Sequence, residues 1–250
     1  VSDGPHNLHI LVLSEDSASD ALPSLRALTM KMLRLVDPNY RAERIDMEPE
    51  AEEAQRAMQA NLWKGDRRKL VTIARTVASH ILDERGVVLF HVDADQAWKD
   101  RAAPSDNIRR FYDDVTLYVE RVVNENIAKN QGAHDKTAVM SRLCLVAPYW
   151  CIESWLYQNT TVARALCHKH HGGLHADLFD RWERDRAELD EVDKPKDQVC
   201  LGSKHNHALA SQGFPARAVF DVGKSFFETV ERLKSIPTLV TALAATHPGY

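Results

Sequence analysis

The chain has 250 residues, 44% of them hydrophobic, enough to bury a sizeable core, and its formal net charge of −4 speaks against a protein that coats nucleic acid by bulk electrostatics. Its apolar runs fall well short of the roughly 18–20 residues a membrane helix needs, and no basic stretch followed by an apolar one opens it, so we expect a cytoplasmic protein without membrane association. The four cysteines, Cys144, Cys151, Cys167 and Cys200, lie in or beside apolar segments without C-x-x-C spacing, which predicts reduced thiols.

Leu8 to Leu13 reads as a first strand that breaks at Ser14-Glu15-Asp16 and the polar residues through Asp20. A helix follows over Ala21 to Val36, where Leu22, Leu25, Leu28, Met32 and Leu35 recur at helical spacing, with Ser19 or Asp20 as cap. Ala42 to Met47 suits a short second strand. Glu50 to Glu84 reads as helical with an interruption near Lys64-Gly65-Asp66, and Gly86 then launches a strand, Gly86-Val87-Val88-Leu89-Phe90-His91-Val92, that stops on Asp93-Ala94-Asp95. A long amphipathic helix is expected from Ser105 or Asp106 through about Ala128. Arg142 to Ala147 is a fourth strand, which runs through Pro148-Tyr149-Trp150-Cys151-Ile152 into a helix opening with Glu153-Ser154-Trp155-Leu156. The remainder is mostly helical, broken at Lys194-Pro195-Lys196. This order predicts an α/β, Rossmann-like fold: a mostly parallel sheet of about four strands flanked by helices, with residues 1–160 as the α/β core and 161–250 as a mainly helical C-terminal extension packed on it, or the two together as one domain.

The acids fall at strand ends. Residues two apart on an extended chain project to one side, so Asp93 and Asp95 are expected to stand together at the carboxyl edge of the sheet, where open α/β sheets bind ligands. Glu15 follows the first strand and Glu153 the fourth. Each alone could be a cap or turn residue; brought to one edge they would repel unless cations neutralised them, and hard oxygens suit Mg2+ or Mn2+.

A strand ending in Glu, a later apolar strand ending in D-x-D, and a following strand leading into Ile152-Glu153-Ser154-Trp155-Leu156 resemble the Toprim fold, and most of all the nucleases of the OLD (overcoming lysogenization defect) type and related small prokaryotic proteins. The resemblance covers about residues 8 to 160. It departs in having Asp16 where Toprim proteins usually place Gly after the first Glu, and in lacking a phosphate-binding G-x-x-x-x-G-K-[ST] loop, so any ATPase would be a separate chain or absent. It implies a metal-dependent nuclease, with a role in prokaryotic defence against mobile elements. Glu15, Asp93, Asp95 and Glu153 would hold one or two ions, Asp16 or Asp20 would orient water, and a late lysine, for which Lys204 is the candidate, would help neutralise the phosphate. Arg67, Arg68 and Lys69 would grip the backbone of DNA or RNA, unless they form an ordinary solvated helix face.

Other readings stay open on the sequence. A D-x-D after an apolar strand also suits a metal-dependent nucleotide-sugar glycosyltransferase, which leaves Glu15 without a role. The Asp16 departure suits a catalytically degenerate Toprim-like binding module. The histidines at 168, 170, 171, 175, 205 and 207 invite zinc, though their spacing matches no structural zinc pattern. Nothing in the sequence fixes whether the chain forms a homo-oligomer.

Overall fold

The computed structural model describes residues 8–16, 21–47, 51–59, 63–129 and 135–247. The first strand, β1 (Leu8–Ser14), is followed by α1 (Ala21–Val36), the short β2 (Ile45–Asp46), α2 (Glu52–Met58) and α3 (Arg67–Leu82). Next come β3 (Gly86–His91), α4 (Asp106–Arg110), α5 (Leu117–Lys129), α6 (Lys136–Met140) and β4 (Leu143–Val146). The rest is helical: α7 (Glu153–Leu156), α8 (Thr160–His171), α9 (Ala176–Arg184), α10 (Asn206–Ser211), α11 (Ala216–Asp221), α12 (Ser225–Lys234) and α13 (Pro237–Ala244).

The four strands form one parallel sheet in the order β2-β1-β3-β4, the α/β architecture expected from the sequence. Alternation along the strands sends side chains to two separate cores. On one face Leu8, Ile10, Val12, Val87, Leu89, Cys144 and Val146 pack with α1 and the C-terminal helices, including Trp155, Phe226 and Val230. On the other, Leu11, Leu13, Val88, Phe90 and Leu145 meet Leu70, Ile73 and Val77 of α3 and Val119 and Val123 of α5. The C-terminal helices thus complete one layer of the sheet's own core.

Register sets the functional edge. Ser14 lies opposite His91, and His91 opposite Val146, so the chain after each of these three strands emerges at one level. Beyond the strands the backbones stay tied: Val92 N donates to Val146 O, Ala94 N to Pro148 O and Asp95 N to Trp150 O. Gly86 is obligatory, because a Cβ there would lie 1.8 Å from the carbonyl oxygen of His80 where α3 turns into β3.

Two expectations are modified. The helix expected over 106–128 is interrupted by a π-helical stretch, Phe111–Thr116, in which the Thr116 hydroxyl bonds back to Phe111 O at 3.0 Å and widens the turn. The pleat that should align Asp95 with Asp93 ends at His91, and Asp95 takes a left-handed φ of 53°. Among the described residues, no helix is long and apolar enough to cross a membrane.

Candidate metal centre

His91 is the last residue of β3, fully buried, and strand parity puts it on the same side as Ser14. Its Nδ1 shares a 3.0 Å hydrogen bond with Ser14 Oγ, which also accepts from Asp16 N at 3.2 Å. Gln55 of α2 clasps the Ser14 peptide from both sides, accepting from its N–H and donating to its carbonyl at 2.8 Å. The other ring nitrogen, Nε2, faces Asp93 Oδ1 at 3.4 Å. Asp93 Oδ1 in turn accepts from Ile152 N at 3.0 Å, coupling the end of β3 to the segment that leads into α7. Glu15 reaches across the same edge, its Oε1 accepting from Asp93 N. Asp16, His91 and Asp93 each offer a ligand atom within 4.8 Å of the other two, and theirs is the one such group of three among the described residues.

Glu153 opens α7, and its Oε1 accepts from Asn206 Nδ2 of α10 at 3.0 Å. Its helix is pinned through Trp155, whose indole N–H donates to Ser225 Oγ at 2.6 Å, while the Ser225 hydroxyl donates to the buried Asp190. The Glu-Ser-Trp-Leu motif therefore couples an acid at the sheet edge to an indole that fixes where that acid sits.

The electrostatics are those of crowded carboxylates in a low-dielectric setting. Burial, then the charge of Asp93, pushes Glu15 up to about 7 against the pull of His91 and Lys64. Burial raises Asp93 to about 6, with His91 opposing and the charges of Asp16 and Glu153 adding to the rise. Burial works against the His91 imidazolium, yet Asp93, Asp16 and Glu15 together hold its pKa above the ordinary value. Two buried atoms facing this cluster lack a hydrogen-bond partner, Glu15 Oε2 and His91 Nε2. Each is a ready lone-pair donor once the imidazole carries its proton on Nδ1, so the residues present fit a divalent cation.

Asp95 stands apart. Its Oδ2 accepts from Asn107 Nδ2 at 2.7 Å, and the same amide nitrogen donates to Asp93 O at 2.7 Å while Lys64 Nζ donates to Asn107 Oδ1. The structure thus brings Glu15, Asp16 and Asp93 together, with Glu153 within electrostatic reach, and turns Asp95 toward the start of α4. Asp20 lies outside the described residues. Arg67 and Arg68 are exposed on the first turn of α3, and Lys69 is half-buried beside Asp66, the cap of that helix. Because α3 leads into β3, this basic turn sits toward the carboxyl edge.

Lys204 is exposed on a 3-10 turn, Ser203–His205. Lys196, exposed on the turn Pro195–Gln198, lies in the field of the acids: burial works against its charge, but Glu153, Cys151, Asp93 and Asp16 raise its pKa. In the histidine-rich segments the rings of His170 and His205 approach to 5.2 Å, and Cys167 and Cys200 bring their sulfurs to 3.1 Å, but no third ligand completes a zinc set among the described residues.

Sequence reasoning passed over His91, Lys196, Asn107 and Asn206. His91 carried a usable signal, since it precedes Asp93 by two residues on a strand and so shares its face. Ser14, His91 and Asp93 also line up as a hydroxyl–imidazole–carboxylate chain, but Ser14 is wholly buried and so has no access to a substrate as nucleophile. Comparison with protein-family models, characterised proteins and solved structures returns no match.

Proposed function

We propose that this protein is a divalent-cation-dependent phosphodiesterase acting on nucleic acid. The observation that carries the reading is the convergence of Asp16, His91 and Asp93 at the carboxyl edge of a parallel sheet, with an unpartnered carboxylate oxygen of Glu15 beside them. The resemblance of the three acidic segments to Toprim nucleases supplies the reaction class. A cation held by these residues, Mg2+ or Mn2+, would supply Lewis acidity toward a phosphoryl oxygen and help activate water.

The chain's own residues do the rest. Glu15 and Ile152 N fix the Asp93 peptide and carboxylate, so the acid does not swing when charge changes nearby. Glu153, held by Asn206, extends the negative cluster away from β3. Lys196 and the exposed Arg67 and Arg68 provide cations for the phosphate backbone flanking the scissile bond. In the reaction water adds to phosphorus, the P–O bond to the departing sugar oxygen breaks, and that oxygen leaves with a proton.

Incubating the purified protein with supercoiled plasmid, single-stranded DNA and tRNA, each with Mg2+, Mn2+ or EDTA, tests this. Cleavage that needs a divalent ion and disappears in Asp93→Ala is the expected result. Silence on every substrate with both metals would overturn the proposal and favour a binding module.

A further inference from the structure

We infer that the metal position is an imidazole–carboxylate site in which His91 Nε2 is a direct ligand with Asp93 and Asp16, so that it selects a first-row transition-metal ion, Mn2+ included, over Mg2+. This inference rests on the metal-dependent reading above but concerns the ion rather than the reaction.

The placement of His91 supports it. The ring lies wholly inside the protein at the end of a central strand, where an imidazole costs free energy unless both nitrogens are used. Nδ1 is used, by Ser14 Oγ. Nε2 makes no hydrogen bond of good geometry and faces Asp93 Oδ1 across 3.4 Å, an ion-pair separation while the ring is protonated and a pair of open ligand atoms once that proton is displaced by a cation. Asp16, half-exposed, offers a third ligand atom, and the three atoms lie within 4.8 Å of one another.

Ser14 makes this tautomer available. A hydroxyl has two acceptor lone pairs; one takes Asp16 N–H, and the other can take His91 Nδ1–H, which leaves the Nε2 lone pair free. Gln55, gripping both polar groups of the Ser14 peptide, holds the hydroxyl in place. Such a partner on the far nitrogen orients a ligating imidazole and raises its basicity. Nitrogen donors favour Mn2+ through Zn2+ over Mg2+, which prefers an all-oxygen shell and keeps its waters.

The test is metal binding to the intact chain, read without substrate. Titrating Mn2+ and following loss of the free-ion EPR signal, with Mg2+ as competitor, should give tighter binding of Mn2+ than of Mg2+. Electron spin-echo modulation of the Mn2+-loaded wild type should show coupling to a directly bound imidazole nitrogen. His170→Ala, outside the proposed ligand set, should keep both signals. His91→Gln should lose the nitrogen coupling and most of the preference for Mn2+ while still binding Mg2+. If that variant does not fold, Ser14→Ala, weakening Mn2+ by about 10- to 100-fold, serves in its place. Bound Mn2+ without nitrogen coupling, equal affinity for the two ions, or loss of coupling in His170→Ala would each overturn the inference. A nitrogen-coupled ion in a protein that cleaves no nucleic acid would overturn the nuclease proposal and leave this inference standing.

Discussion

Replacing Asp190 with Asn probes the device that holds the Glu153 helix. Asp190 is 3% exposed, and burial pushes its pKa from 3.8 up to about 7, against the opposing effects of the Ser225 hydroxyl and the Lys224 charge. The native state therefore binds this proton more tightly than the unfolded chain does. Between pH 3.8 and about 7 the native state carries the extra proton, so stability from this group is fully present at low pH, declines as pH rises, and is lost above about 7. At about 1.36 kcal/mol per pH unit the gap sets a ceiling of about 4 kcal/mol. Asn removes the ionisation but keeps an Oδ1 acceptor for Ser225, and through it the Trp155 anchor. Asp190→Asn should raise the melting temperature at pH 8 by at most roughly 8–16 °C, at about 2–4 °C per kcal/mol for a chain of this size. At pH 4 the two proteins should melt nearly together. Thermal denaturation by circular dichroism from pH 4 to 8 reads the difference directly. A gap that is the same at both ends, or an Asn variant that is less stable at pH 8, would refute the argument.

Two further outcomes follow from contacts at the site. Asn107→Ala leaves Asp93 O and Asp95 Oδ2 without their shared donor and Lys64 without its acceptor, and should lower stability in urea by about 1–3 kcal/mol with an unchanged m-value. A cost below about 0.5 kcal/mol would mean that water replaces the amide. Lys196→Gln should weaken binding to a labelled oligonucleotide and flatten the dependence of log affinity on log salt by about 0.7–0.9, the signature of one lost phosphate contact. An unchanged slope by fluorescence anisotropy would remove Lys196 from the substrate path.

The sheet was legible in the sequence because its signals are local. Apolar runs at 8–13, 86–92 and 142–147 mark buried parallel strands, and the break from apolar to acidic residues marks where each one ends. Glu15, Asp93 and Glu153 could be placed at one edge by that logic alone. The two cores follow from alternation along the strands, whereas the order β2-β1-β3-β4 was set by the fold and by no local signal.

What the sequence could not settle is how the chain turns after the strands stop. Strand parity applied past His91 pairs Asp95 with Asp93, but a single left-handed residue rotates Asp95 away to Asn107, and His91 takes the place beside Asp93 instead. Asn206 bonds Glu153, and Lys196 comes within electrostatic range of the acids, from segments more than forty residues beyond Glu153, through packing that no local period encodes. Periodicity reports which face a side chain is on; loop dihedrals and long-range docking decide which groups meet there, and those belong to the folded molecule.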